Sequence, residues 1–282
     1  MYQSNLCARR AVLPWHCRPL IEGNGVEENF EEHDAQEERP RYERPEAIDG
    51  KALYHSISKL VFFSDDMYLR SQAQNLNLID QFLMPLEYKV LRDLFETDTT
   101  PPETYFLLAQ SQMWIFAAYE LLRAWRQRAS EIIKWHVNHG LEQKLTALKE
   151  RDKTGYHFGL KIRIEQIERV INDEAIVLEL DRQLRHTYMT FKTLEWVRVS
   201  LAKHEVSGNP KQPARTPGYG RINNWCGSLD FELENGKYSM GYVNRRDIAD
   251  RIRNFDFTAN PPDDEAIKSY DAFMSGKGFE LD

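Results

Sequence analysis

From about residue 50 onward, apolar positions recur every three to four residues, the spacing of helices that bury one face. Ser64-Asp65-Asp66 is a capping sequence and predicts a helix through Leu83. Pro85 fits the first turn of a second helix ending near Phe95. Pro101-Pro102-Glu103 opens the strongest helix. Tyr105-Phe106-Leu107-Leu108, Trp114-Ile115-Phe116, Leu121-Leu122, Trp125 and Ile132-Ile133 carry it to about Val137. Asn138-His139-Gly140 stops it, with Gly140 expected as the left-handed cap. A shorter helix covers Leu141 to about Lys149. Another helical region runs from Gly159 to His204 with a bend near Asn172-Asp173. Its expected buried stripe is Val177, Leu180, Leu184, Tyr188, Phe191, Leu194 and Leu201.

After Ser207-Gly208-Asn209-Pro210 the texture changes. Residues 208–220 are rich in Pro and Gly and read as a loop. Leu229 to Leu233 alternates with Asp230 and Glu232, Glu234-Asn235-Gly236 forms a hairpin turn, and Tyr238 to Val243 is the return strand. Asn244 caps a helix to about Arg253, and Pro261-Pro262 opens a last one over Asp263 to Met274. The expected fold is mainly α, a multi-helix bundle with a small C-terminal β-hairpin and helices. Three segments follow: 1–48, acidic and unstructured; 49–207, the bundle; 208–282, loop, hairpin and C-terminal helices. In the first, Glu27-Glu28, Glu31-Glu32 and Glu37-Glu38 come with few aliphatics, which bury too little surface to offset chain ordering.

Composition narrows the class. No apolar run approaches the roughly 20 residues that span a bilayer, so no membrane partner is expected. Arg9 and Arg10 precede Pro14-Trp15-His16 without an apolar core between them, a poor signal peptide. Cys7, Cys17 and Cys226 make neither a disulfide framework nor a four-ligand metal site. A reduced cytoplasmic setting without a cofactor is the simplest expectation. The net charge of −7 is concentrated in residues 22–49, which carry −8, so the body is close to neutral and can still meet a polyanion.

One segment carries a candidate chemistry: Arg198-Val199-Ser200-Leu201-Ala202-Lys203-His204. Arginine holds phosphate with a bidentate fork, and histidine moves protons near neutral pH. The spacing alone is uninformative, because Arg9 and Arg10 precede His16, and Arg151 precedes His157, at similar separations. Context separates Arg198/His204, which close a long amphipathic helix just before a strong stop. On a continuous helix the two side chains point about 120° apart, so they converge only if the helix ends or distorts between them. The structural alternative pairs Arg198 with a carboxylate and makes Lys203 and His204 a basic last turn favoured by the helix dipole.

With Arg198, Ala202 and His204 in place, the segment resembles the Arg-polar-x-x-x-His signature of HEPN (higher eukaryotes and prokaryotes nucleotide-binding) proteins, commonly Arg-Asn-x-x-Ala-His-His. Val199 and Lys203 stand where that pattern has a polar residue and a first histidine. The resemblance covers roughly residues 60–205 and implies an all-α bundle. It also implies a metal-independent endoribonuclease of toxin or defence type, acting as a homodimer with the motifs of two subunits meeting. In that chemistry a ribose 2′-hydroxyl attacks the adjacent phosphate, Arg198 stabilises the growing charge and His204 transfers a proton. Ser200 and Lys203 would assist as substrate contacts.

Other residues are weaker candidates. In Pro217-Gly218-Tyr219-Gly220-Arg221, which lacks any phosphate-loop spacing, Tyr219 and Arg221 could stack on and hold an exposed RNA base, though turn chemistry also explains the glycines. His136 and His139 share a helix side but have no third ligand at metal spacing. Arg182, Arg185 and His186 form a second basic cluster. Two rivals of other classes stand beside the nuclease. One is a non-catalytic helical protein-binding or antitoxin-like module; for the chain itself the protein partner expected is an antitoxin or effector. The other is a DNA-binding regulator using Arg245, Arg246, Arg251 and Arg253.

Overall fold

A computed structural model describes residues 42–275 other than 154, 156, 216 and 217, so the expectation for residues 1–41 lies outside the described residues. Among those described, helices dominate: α1 (Ala52–Ser58), α2 (Met67–Thr97), α3 (Thr104–Val137), α4 (Leu141–Arg151), α5 (Phe158–Asn172), α6 (Ala175–His186) and α7 (Tyr188–Lys203). Two short strands follow, β1 (Glu205–Val206) and β2 (Asn209–Pro213), then β3 (Gly220–Ile222), β4 (Leu229–Glu234) and β5 (Ser239–Val243), and finally α8 (Arg245–Arg253) and α9 (Asp264–Met274). The protein is mainly helical, with two small antiparallel sheets ordered β1-β2 and β3-β4-β5. No helix of the described residues is long and apolar enough to cross a membrane.

Local chemistry sets many boundaries. Asp66 accepts from the backbone N–H groups of Tyr68 (2.8 Å) and Leu69 (3.1 Å), which starts α2. Asn244 and Asp247 form a reciprocal capping box at the start of α8, and Asp263 caps α9 through the N–H of Ala266. The Asn235-Gly236 turn joins β4 to β5, with Gly236 at φ 90°.

Several expectations are corrected. Pro85 lies inside α2, not at the start of a new helix. It is exposed, so the freed carbonyl one turn earlier can meet water, and the buried stripe passes it unbroken from Leu83 and Met84 to Glu87 and Val90. His139 (φ 52°), not Gly140 (φ −100°), holds the left-handed conformation after α3. The long helical region breaks at Thr187 as well as at Asp173. At Thr187, Arg126 from α3 donates to the carbonyl of Leu184 (2.7 Å) and to the Thr187 hydroxyl, capping the end of α6 with a cation. Leu184, Tyr188 and Phe191 are only half-buried, while Thr190, Thr193 and Val197 are buried in their place. The loop expected at 208–220 contains β2, and β3 extends the predicted hairpin to three strands. Residues 42–48, counted with the unstructured segment, are ordered: Tyr42 donates to Asp247 (2.7 Å), and Pro45–Ala47 form a 3₁₀ turn.

One continuous apolar core links Leu53 and Ile57 of α1 with Trp114 and Trp125 of α3 and with Phe231, Ile248, Ile252 and Met274. It crosses the 207/208 boundary without interruption. The buried indoles are hydrogen-bonded, Trp114 to the carbonyl of Leu76 (3.0 Å) and Trp125 to that of Val61 (2.9 Å). Charge is buried too. Arg245 is fully enclosed, pairing with Asp80 and Glu87 on either side of Pro85 and lying over the Trp114 ring. Arg253 joins the same group through Asp80 and Asp250. Arg246 is fully buried against Asp250 and the carbonyl of Glu43, and Arg251 reaches Thr193. The α8 arginines therefore do not form the basic face that the DNA-regulator reading requires.

Candidate functional site at the end of α7

The end of α7 is built against α3. Tyr119 and Phe191 stack nearly parallel (14°) with centroids 5.4 Å apart. Arg198 lies over the Tyr119 ring at 5.3 Å, and on the other side Arg126 lies over Phe191 at 4.9 Å and Tyr188 at 5.8 Å. Residue numbers rise along α7 as they fall along α3, so the two helices are antiparallel. Burial drives the shifts in this stack. It pushes the Tyr119 phenol up, helped by Glu195, and draws Arg126 down to about 10.

Arg198 is half-buried, and among the described residues it forms no ion pair. The carboxylate-paired alternative is therefore not the arrangement found. Its guanidinium rests on an aromatic face, which attracts the cation without using its N–H donors.

His204 ends the helix in the left-handed conformation (φ 56°). Its N–H donates to the carbonyl of Ser200 (3.1 Å), and its carbonyl accepts from Ala214 (2.9 Å), turning the chain into β1. The side chain is exposed. Because α7 is unbroken through Lys203, Arg198 and His204 sit about 9 Å apart along the axis and roughly 120° apart around it. One chain does not bring them together.

The remaining candidates divide. Lys203 is exposed beside His204. Ser200 is buried, and its Oγ, without a hydrogen-bond partner among the described residues, lines a void of about 10 Å³ with Val197, Phe231 and Leu233. Its Oγ is buried and does not share the exposed surface of Lys203 and His204. Tyr219 is exposed, and the neighbouring Gly218 carbonyl accepts from Gln112 (3.4 Å). Gln112 and Tyr119 are seven residues apart on one face of α3, so this loop and Arg198 share that face, roughly 10 Å apart. Arg221 instead lies over Tyr242 at 5.7 Å, on the three-stranded sheet.

The other sequence candidates have ordinary roles. Arg182 pairs with Glu179 and Arg185 with Asp264, while burial holds the nearby His186 below its usual range. His136 is half-buried near the end of α3 and His139 is exposed. Among the described residues no three His, Cys, Asp or Glu side chains gather as metal ligands.

Tyr119, which holds Arg198, and Arg126 were not singled out in the sequence, and Phe191 was read there only as part of a buried stripe. Their pairing joins α3 to α7 across about seventy residues, and no local pattern announces it. No family model matches the chain, and no curated protein or solved structure is detectably similar to it.

Proposed function

We propose that the chain is a metal-independent endoribonuclease of toxin or defence type whose cleavage site is completed by two subunits. The observation that carries this reading is Arg198, a half-buried arginine held on Tyr119 without a carboxylate partner among the described residues. A guanidinium in that state keeps its donors for a phosphate. The ribose 2′-oxygen attacks the adjacent phosphorus, the bond to the 5′-oxygen breaks, and the proton of the 2′-hydroxyl is delivered to the departing 5′-oxygen. His204 moves that proton, and Arg198 stabilises the charge on the phosphoryl oxygens. The products are a 2′,3′-cyclic phosphate and a free 5′-hydroxyl. Since an unbroken helix separates Arg198 from His204, each site takes its arginine from one copy and its histidine from the other. Lys203 adds attraction for the RNA backbone, Tyr219 and Arg221 hold bases further out, and an antitoxin or effector protein regulates the activity.

The test uses purified full-length protein, RNA of mixed sequence and EDTA. Arg198→Ala and His204→Asn should each abolish cleavage, Asn being chosen because it tolerates the left-handed cap. Mixing the two inactive variants should restore about a quarter of the wild-type rate, because heterodimers hold one intact site of two. RNAs left uncut by the wild type would end this reading in favour of the helical protein-binding module. Activity that is present but not restored by mixing would place both residues in one chain.

A further inference from the structure

Among the described residues, one outer face of the α2/α3 pair carries no charged side chain of these two helices. Leu78 and Phe82 on α2 are 54% and 60% exposed, and Phe106 and Met113 on α3 are 49% and 62% exposed. The Phe82 and Phe106 rings meet edge to face at 6.4 Å, so the two helices present a single patch, flanked by Ile79 and Tyr105. From Thr104 to Tyr119, α3 contains no charged residue. From Ser71 to Leu86, the only charge on α2 is Asp80, buried beneath Arg245. The uncharged stretch is about 24 Å long on each helix. Protein surfaces normally intersperse roughly a quarter or more charged residues.

We infer that a second copy of the chain covers this face, the two α2/α3 pairs closing as a four-helix layer about a two-fold axis. In such a contact, residues near the axis meet their own counterparts, so a charged face would repel itself and an uncharged one does not. The acidic stretch at residues 22–49, net −8, finds no cation here, and neither would a nucleic acid. The six apolar side chains expose on the order of 500 Å², the main part of the roughly 800 Å² each partner buries in a stable complex. The antiparallel packing of α7 on α3 puts His204 towards the Gln112 end of α3, the end that carries Phe106 and Met113. In such a pair the α7 ends lie level with the contact along α3 but about 120° around it, and only the link to cleavage rests on the two-subunit reading.

Sedimentation velocity on the full chain over on the order of 1–50 µM tests the contact. The wild type should sediment with the mass of two chains. Phe82→Glu and Met113→Lys, both at exposed positions, should each sediment as one chain with unchanged far-UV circular dichroism. A wild type that stays single at every concentration overturns the inference. So does a removal of residues 1–41 that converts a single chain into a pair, since the chain's own N-terminus would then be the occupant. Variants that remain paired also overturn it, while leaving two-subunit cleavage standing on another face. Single-chain variants that cut RNA at the wild-type rate keep the face and remove the composite site.

Discussion

The Arg198 guanidinium lies over the Tyr119 ring, 5.3 Å from its centroid, with no carboxylate paired to it among the described residues. Losing this contact should be mild. Arg198→Ala should lower stability by about 1 kcal/mol, the scale of a partly exposed cation–π contact. The roughly 3–5 kcal/mol of a stranded buried charge is not expected. Urea unfolding of Arg198→Ala and Tyr119→Leu measures this, and a loss above about 3 kcal/mol would reveal a hidden ion pair.

Arg245 should behave differently. It is fully buried between Asp80 and Glu87, and burial pushes the Glu87 carboxyl up despite the opposing pull of Arg245. Arg245→Ala leaves Glu87 enclosed without its cation, whereas Asp80 keeps Arg253. A loss of about 3–5 kcal/mol is expected. Glu87→Gln in the same chain should recover part of it, which chemical denaturation of the double variant would read.

Asp247 sets a pH dependence. Burial, outweighing its hydrogen bonds to Tyr42 and the Asn244 backbone, raises its carboxyl from 3.8 to about 6. The folded state thus holds this proton more tightly than the unfolded chain. The resulting stability is fully present below about 3.8 and is lost as pH rises through about 6, a change of roughly 2–3 kcal/mol. His186, held below its ordinary 6.5, acts in the opposite sense, losing stability as pH falls through that value. The difference between wild type and Asp247→Asn isolates the carboxyl. It should change between pH 4 and 6 and stay flat above about 7.

Gly227 is a tight contact. Its backbone is left-handed (φ 77°), and an added Cβ would sit 1.9 Å from the Glu87 carbonyl oxygen on α2. Gly227→Ala combines backbone strain with overpacking and should cost about 2–4 kcal/mol. Thermal unfolding checks it. A variant as stable as the wild type would mean that the turn moves freely off α2.

What the sequence determined by itself is local. Asp66, Asn244 and Asp263 mark their helix starts because a short carboxylate or amide reaches the next free N–H groups. Asn235-Gly236 marks its hairpin because a glycine there allows the left-handed turn. Such signals need no partner beyond a few residues. Tertiary structure decided the rest. Pro85 stays within α2 because the helix is buried on both sides of it and clamped by Arg245 through Asp80 and Glu87, partners 165 and 158 residues away. The break at Thr187 depends on Arg126 arriving from α3. Arg198 and Arg245 look alike in sequence, yet one lies on a ring at a half-buried helix face and the other is sealed in the core. That difference is made by which helices pack against them. Arg198 and His204 were legible as residues, but an unbroken α7, stabilised by its packing on α3, sets them apart in space.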